Sequence, residues 1–142
     1  MLSTFTLKTK YNEVVDITEN IRKTVLYSGV REGICVIYNP HSTAGLTLFS
    51  PWDPEGFKDL DEEIRRLIPT KVDFHHQHDT PQDAAGHVKS ALMGVSLSLI
   101  IHEGTLLLGG SHGIYFLEFD GPRNRKYYVK IQADPETEPA DA

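Results

Sequence analysis

The stretch GTLLLGGSHGIYFLEFDGPRNRKYYVKI, residues 104–131, decides the fold class of this chain. It contains three short apolar segments that are separated by clusters of Gly, Asp, Pro and Asn. This pattern is typical of strands joined by short turns. Residues 95–101, just before it, alternate with serine and predict another strand. The last third of the chain is therefore expected to be β-structure, with tight turns at 103–104 and 120–121.

Strand and helix patterns interleave in the preceding part of the chain. The last of three helices in chain order is expected from Pro81 to about Met93, because Thr80 is a typical N-cap residue and proline a typical first helical residue. The other predicted elements are the strands TFTLKT (4–9), GICVIYNP (33–40) and AGLTLF (44–49) and the helices DITENIRKTVLYSG (16–29) and DPEGFKDLDEEIRRLIP (53–69).

Spacing also assigns a start and a buried face to these helices. The first helix is predicted to begin with Asp16 as its cap, since Glu19 follows at the spacing of a capping box. Lys89, on the third helix, is expected at the surface or in an interface. The predicted buried stripes are Phe57, Leu60, Ile64, Leu67 and Ile68 on the second helix and Ala84, Val88, Ala91 and Leu92 on the third.

The composition indicates one acidic domain. A chain of 142 residues can bury a single core, and a formal net charge of −6 argues against a broad nucleic-acid surface. The one cysteine, Cys35, lies in an apolar run, which excludes a disulfide within the chain and favours a reducing, cytoplasmic location. No segment resembles a membrane span. Residues 1–132 are expected to form the domain, and residues 133–142 an acidic, disordered tail.

Four of the seven histidines lie in one stretch, FHHQHDTPQDAAGHVKSAL at 74–92. On the third helix Asp83 and His87 are one turn apart, so the carboxylate can fix the tautomer of the imidazole and leave its other nitrogen free to bind a metal or move a proton. Three more histidines, at positions 75, 76 and 78, can fold back toward this helix. The alternative is a polar connector whose histidines only contact solvent, because such clusters are weak metal signals.

Two other regions supply candidate ligand-binding residues. His41 begins the segment HSTAG directly after a predicted buried strand, where hydroxyl groups and backbone N–H groups gather at one turn. Glycines flank His112 and allow close approach of a ligand. Two arginines near the C-terminus are planar donors that suit a phosphate. The predicted ligand- and phosphate-binding residues are Ser42, Thr43, His112, Arg123 and Arg125.

Three blocks, HSTAGLTL, GHVKSALMGVSLSLII and EGTLLLGGSHGIYFLEFDGPRNRKYYVKI, carry a family resemblance over nearly the whole chain. They resemble the YjbQ-like family, whose members are sometimes named secondary thiamine-phosphate synthase enzymes. The resemblance implies an α+β fold, a sandwich of mixed or antiparallel strands with two to three helices. It also implies a homotrimer with sites near the subunit boundaries.

The resemblance further implies a cleft formed by His41, His76 and His87, as an active or metal-binding site with a divalent ion such as zinc or magnesium. The chain departs from the family pattern at Asp83, where asparagine is common. It also departs at residues 109–113, where the family commonly has a bulky aromatic side chain and this chain has His112.

The family name suggests an enzyme that couples a pyrimidine pyrophosphate with a thiazole phosphate. Arg123 or Arg125 would hold phosphate, and His41 or His87, together with Asp83, would be catalytic and handle protons. The alternatives are a metal-dependent hydrolase of a small phosphorylated molecule, a trimeric module that binds a metal or small ligand without turnover, and a purely structural role.

Overall fold

The computed structural model describes residues 1–136, which form eight strands and three helices. In chain order these are β1 (Leu2–Thr9), β2 (Val14–Asp16), α1 (Thr18–Ser28), β3 (Gly33–Tyr38), β4 (Ala44–Phe49), α2 (Glu55–Leu67), α3 (Pro81–Met93), β5 (Ser96–His102), β6 (Thr105–Leu107), β7 (Gly113–Glu118) and β8 (Arg123–Ala133). The short strand β2 was not predicted.

Two antiparallel sheets form the framework, which confirms the predicted α+β sandwich with three helices. The large sheet has the order β1-β8-β3-β5-β6 and the small sheet the order β2-β7-β4. The central strand of the small sheet, β7, is buried on both faces. Ile114 and Phe116 belong to the main core between the sheets and α1, while Tyr115 and Leu117 pack into a second core with α2. A continuous apolar run such as GIYFLE is what a strand covered on both sides requires.

The boundaries of α3 agree with the prediction. The Oγ1 atom of Thr80 accepts a hydrogen bond of 3.1 Å from the backbone N–H of Asp83, and the helix ends at Gly94. The predicted cap of α1 is wrong by one residue, because Ile17 and not Asp16 occupies the cap position. Asp16 ends β2, and its side chain accepts a hydrogen bond from the backbone N–H of Thr18, where the helix begins.

The predicted buried face of α3 is correct only at Ala84, because the other three predicted positions are exposed. Val88 is 46% exposed and Leu92 64% exposed, whereas Lys89, expected at the surface, is only 4% exposed. The helix instead packs through its small residues, because it lies very close to the start of β4. Ser90 makes this contact directly, since its hydroxyl donates to the carbonyl oxygen of Ala44 over 2.6 Å.

On α2 the predicted stripe is correct except at one position. Ile64 and Ile68 are buried, and the ring of Phe57 lies edge-on against Tyr115 at a centroid distance of 4.9 Å. Leu67 is 72% exposed and does not belong to the core. It is one residue from Ile68 along the helix, a rotation of about 100° that turns it away from the small sheet.

The two predicted tight turns have different outcomes. Glu103 and Gly104 both have positive φ and join β5 to β6 as a hairpin, as predicted. Asp120 and Gly121 do not close a hairpin, because β7 belongs to the small sheet and β8 to the large one. This turn therefore carries the chain from one sheet to the other, beside the site described below.

The C-terminal strand extends past the predicted end of the domain. β8 continues to Ala133, and the backbone N–H of Asp134 donates to the carbonyl oxygen of Glu32 over 2.9 Å. The last six residues of the predicted tail, 137–142, lie outside the described residues. Cys35 is completely buried, as expected. None of the helices in residues 1–136 has the length and apolar character needed to cross a bilayer.

Candidate metal and phosphate site

A polar cavity of about 490 Å³ lies where four parts of the chain meet. These parts are the turn before β4, the irregular segment before α3, the first two turns of α3, and the start of β8. We call it the site cavity. Its lining consists of Pro40, His41, Ser42, Thr43, His76, His78, Asp79, Asp83, His87, Arg123 and Arg125.

Three potential metal ligands converge at this cavity. The Nε2 atoms of His76 and His87 each lie 3.2 Å from the same oxygen, Oδ2 of Asp83. The two imidazole rings are perpendicular, with centroids 5.2 Å apart. One ligand atom from each residue lies within 4.8 Å of the others. Two imidazoles and a carboxylate are a ligand set found in catalytic zinc sites, so we call these residues the ligand trio.

The local fold explains why the trio converges. Thr80 caps α3 and places Asp83 in the first turn of the helix, where the carboxylate is 9% exposed. His87 follows one turn later, and the segment before the helix folds back so that His76 reaches the same oxygen. Gly86 lets α3 approach the neighbouring strand, since a Cβ there would lie 3.0 Å from the carbonyl oxygen of Phe119.

Of the other two histidines before α3, one also lines the site cavity. The ring of His78 lies beside that of His76, with centroids 5.7 Å apart. His75 lines a separate, more apolar cavity next to Phe74 and Val88. His75 is therefore outside the ligand trio although it is next to His76 in the sequence.

Arg123 places a permanent positive charge at the edge of the site cavity. Its Nη2 donates to Oδ2 of Asp120 over 2.7 Å and lies 3.7 Å from carboxylate oxygens of Asp79 and Asp83. The hydrogen bond with Asp120 and the surrounding carboxylates raise the pKa of Arg123 above its ordinary value. The side chain is 44% exposed, so the guanidinium remains accessible from the cavity, and its contact with a phosphate stays a prediction.

Arg125 is instead bound mainly by the protein itself. Its guanidinium donates to both carboxylate oxygens of Glu118 and, over 2.7 Å, to Oγ1 of Thr43. Burial alone would raise the pKa of Glu118, but the hydrogen bonds from Arg125, from Thr9 and from a backbone N–H outweigh it and hold this pKa below its ordinary value. Only Nη1 of Arg125 makes no hydrogen bond to a described residue. Its predicted phosphate contact therefore depends on that one group.

Sequence reasoning missed Glu118, which fixes Arg125 behind the site. The available signal was a single carboxylate inside the apolar run GIYFLEF, where every strand residue is buried. A charged side chain in such a strand needs a partner of opposite charge. The partner is seven residues away but in the other sheet, so the spacing alone does not identify it.

His41 lines the site cavity but lies outside the ligand trio, so the distances give its predicted role as a metal ligand no support. Its Nε2 accepts a hydrogen bond of 2.9 Å from the backbone N–H of Lys126. Nε2 therefore carries no proton, and the neutral ring is protonated at Nδ1. Burial and the charge of Arg125 lower the pKa of His41. The buried side chain of Asn39 holds the turn by accepting from the backbone N–H of His41 over 2.9 Å.

The remaining predicted residues have different locations. Ser42 and Thr43 line the site cavity, although Thr43 already binds Arg125. The predicted place of His112 in the site is corrected by the structure, because His112 does not line the site cavity. It precedes Gly113, which pairs with Phe49 at one end of β7. The site lies at the opposite end of β7, where Glu118 pairs with Ala44. Five residues of strand separate these ends by about 17 Å. His112 therefore does not belong to this site.

Comparison with known proteins gives one family. The family model described as "UPF0047 protein YjbQ-like" matches residues 3–134. UPF0047 protein MJ1081 of Methanocaldococcus jannaschii is 44% identical over 135 residues, which cover 94% of this chain and 96% of that protein. UPF0047 protein YugU of Bacillus subtilis is 39% identical over 134 residues, which cover 92% of this chain and 98% of the relative.

Solved structures show the same fold. An uncharacterized conserved protein of the yjbq/upf0047 family from Clostridium acetobutylicum has a TM-score of 0.85 at 40% identity and covers 92% of this chain and 99% of its own. A YbjQ-like protein of unknown function from Sulfolobus solfataricus has a TM-score of 0.88 at 26% identity, with 94% and 97% covered. None of these descriptions names a reaction, a substrate or a metal.

Proposed function

The chain belongs to the YjbQ-like UPF0047 family, and we propose that it is a metal-dependent enzyme that acts on a small phosphorylated substrate in the site cavity. The observation that carries this proposal is the convergence of His76, Asp83 and His87 on one point beside the charge of Arg123. Metal ligands and a guanidinium in one cavity are the arrangement that phosphate chemistry uses repeatedly.

The donor set fits zinc better than magnesium. Imidazole nitrogen suits zinc and related transition metals, whereas magnesium prefers carboxylate, carbonyl and water oxygen. Asp83 is nearly buried while His76 and His87 are each more than 40% exposed, so three protein ligands would leave a position open toward the cavity. When bound, such an ion polarises a phosphate oxygen and lowers the pKa of a water molecule.

The chain's own residues would do the remaining work. Arg123 would hold and orient a phosphate oxygen, with its position fixed by Asp120. His41 would remain neutral at pH 7, because its pKa is lowered, and would donate a hydrogen bond from Nδ1–H. The first turn of α3 adds the positive end of its helix dipole, which favours an anion at this place.

The geometry supports a reaction class more strongly than one named reaction. Coupling of two phosphorylated precursors to thiamine phosphate is suggested by the family resemblance, and hydrolysis of a phosphate ester is the nearest alternative. A binding module without turnover would use the same residues. The three hypotheses differ in whether an acceptor molecule, water or nothing reacts with the bound phosphorylated compound.

Metal binding provides the first test. Metal-free protein should take up one equivalent of Zn²⁺ in calorimetry, and His87→Ala or Asp83→Ala should weaken the affinity by at least tenfold. His75→Ala is the matched control, since it removes a neighbouring imidazole that lies outside the trio. If the trio variants bind zinc as tightly as His75→Ala does, the proposed metal site is wrong.

Turnover provides the second test. Zinc-loaded protein would be supplied with pyrimidine pyrophosphate and thiazole phosphate together, and separately with a panel of phosphate monoesters. Product that needs both precursors supports a transferase, and release of phosphate in water supports a hydrolase. In either case Arg123→Gln should reduce turnover while zinc binding is retained. Tight phosphate binding with no turnover would replace the enzyme hypothesis by the binding module.

We also propose that the chain forms a homotrimer. Ile34 pairs with Ile100 and Ile100 pairs with Leu107, so three exposed apolar side chains form one row across the outer face of the large sheet. Exposed rows of this kind commonly mark contact surfaces. Light scattering after gel filtration should give three times the chain mass for the wild type and a smaller mass for Ile100→Glu. A monomeric wild type would contradict the proposal.

A further inference from the structure

We propose that a cleft on the far side of His41 is a second anion-binding subsite, in which Lys8 and Lys126 bind another acidic group of the same substrate. This inference rests on the proposed function, because it assumes a phosphorylated molecule in the site cavity. It narrows the substrate class to small molecules that carry two separated acidic groups.

The cleft is formed by the pairing of β1 with β8. Lys8 lies opposite Asn124, and Thr6 lies opposite Lys126. Because side chains alternate along a strand, these four side chains lie on the same, outer face of the large sheet, and all four residues are exposed. Together with Leu7 they surround a cleft of about 530 Å³, which we call the lysine cleft.

The lysine cleft and the site cavity share a wall. His41 and Arg125 line both of them. The backbone N–H of Lys126 holds the His41 ring in place through Nε2, so the residue that supplies one ammonium group also fixes the wall. A molecule extending from the ligand trio past the imidazole of His41 would therefore enter the lysine cleft.

The charges in the lysine cleft favour an anion. No carboxylate is among the residues that line it, and neither Lys8 nor Lys126 forms an ion pair with any residue in 1–136. The Lys126 ammonium instead lies 5.5 Å from the ring centre of Tyr128. The chain as a whole has an excess of acidic residues, 20 against 14 basic ones. Two unpaired ammonium groups in one concave place raise the local concentration of anions.

The chemistry of the second group can be phosphate or carboxylate, since lysine binds either as a point charge. A series of probes separates them. Alkylphosphonates carry one acidic group, alkane bisphosphonates carry two, and phosphonocarboxylates carry one of each. Chains of three to eight carbons cover a range of separations between the two subsites. Binding of each probe to zinc-loaded protein would be measured by calorimetry.

We expect the best bisphosphonate or phosphonocarboxylate to bind at least tenfold more tightly than the alkylphosphonate of equal length. The double variant Lys8→Gln, Lys126→Gln should lose this advantage and keep the affinity for the alkylphosphonate. Its backbone N–H at position 126 remains, so His41 stays in place. The double variant Lys23→Gln, Lys130→Gln is the matched control, because it removes the same charge from exposed positions outside the cleft.

Three outcomes would overturn the subsite. The two-headed probes could bind no more tightly than the alkylphosphonate, the cleft variant could weaken all probes equally, or the control variant could lose the same advantage. Failure of the proposed function is distinguishable from these results. In that case the alkylphosphonate itself would not bind, or its affinity would be unaffected by Arg123→Gln and by zinc.

Discussion

The backbone N–H of Lys126 donates to Nε2 of His41 over 2.9 Å, and this contact selects one tautomer of a histidine that borders both cavities. Protonation of His41 would put a hydrogen on Nε2 and break the bond. Burial and the charge of Arg125 also disfavour the imidazolium ion, so the pKa of His41 is lowered. His102 is the opposite case, because its hydrogen bond to Glu32 raises its pKa.

We therefore expect the NMR titration midpoint of His41 to lie below 6.5 and that of His102 to lie above it. At neutral pH the ¹⁵N shifts of His41 should show Nδ1 protonated and Nε2 free. A group with a lowered pKa contributes stability above its unfolded value and loses it as pH falls through the folded value, so His41 should contribute to unfolding in acid. A midpoint above that of His102 would contradict the assignment.

The Glu118 and Arg125 pair behind the site should contribute strongly to the stability of the fold. Glu118→Gln leaves the buried guanidinium without its counter-ion, which typically costs about 3–5 kcal/mol. Urea unfolding at pH 7 measures the loss, and Glu62→Gln on the exposed side of α2 is the control that should change little. If both variants unfold at the same urea concentration, the buried pair does not stabilise the fold.

The same pair sets an acid limit on stability. Because the pKa of Glu118 is below its ordinary value of 4.5, the stability it contributes is complete above that pH and is lost as pH falls through the folded value. The difference in unfolding free energy between wild type and Glu118→Gln should therefore narrow below about pH 4.5. If the difference in unfolding free energy stays constant as the pH falls below 4.5, the pKa of Glu118 is not lowered.

Local signals predicted the elements well, but they did not predict which faces meet. The cap at Thr80 gave the correct limits of α3, since capping depends on neighbouring residues only. The buried side of α3 depends on how closely it lies to β4, and that approach selects Gly86, Ser90 and the stem of Lys89 instead of Val88 and Leu92. No hydrophobic period within the helix contains this information.

The same distinction separates the predicted site residues that the fold brings together from the one that it places elsewhere. Asp83 and His87 share a helix, so their proximity follows from sequence spacing, and His76 is only seven residues before Asp83. His112 was predicted from its glycine neighbours, but its place depends on the register of β7 against β4. The pairing of Glu118 with Arg125 likewise requires the packing of one sheet on the other.

Gly86→Ala tests the close approach of α3. Alanine in a helix interior is ordinarily favoured over glycine by about 1 kcal/mol. Here the new Cβ would lie 3.0 Å from the backbone oxygen of Phe119 and 3.3 Å from Cβ of Thr43, and a backbone carbonyl cannot yield without moving the strand end. We expect the variant to be less stable than wild type and to bind zinc more weakly, because His87 is adjacent.

Gly56→Ala is the matched control in α2, where the added Cβ would meet only the Phe49 ring at 3.4 Å. This variant should be as stable as wild type or slightly more stable, with unchanged zinc affinity. Thermal unfolding and calorimetric zinc titration measure both quantities. Equal stability gains in the two variants would show that a Cβ at position 86 fits without a steric clash, and the close approach of α3 would be wrong.

Lys89 is a buried cation whose removal should stabilise the protein. It is 4% exposed and forms no ion pair with a described residue. The acidic group whose charge raises its pKa, Asp61, already binds Arg65 at 3.1 Å and Asn12 at 2.6 Å. Burial, followed by the charge of Arg65, lowers the pKa of Lys89. Lys89→Met keeps the length of the side chain and removes the charge.

We expect Lys89→Met to raise the free energy of unfolding at pH 7 by roughly 0.5–2 kcal/mol. Lys23→Met on the exposed side of α1 should change it little. The folded pKa of Lys89 lies below its ordinary 10.5, so wild type regains stability as the pH rises from the folded pKa to 10.5. The advantage of the variant should therefore shrink at alkaline pH. A destabilised variant, or an advantage that grows with pH, would show that the ammonium group of Lys89 is stabilised inside the fold.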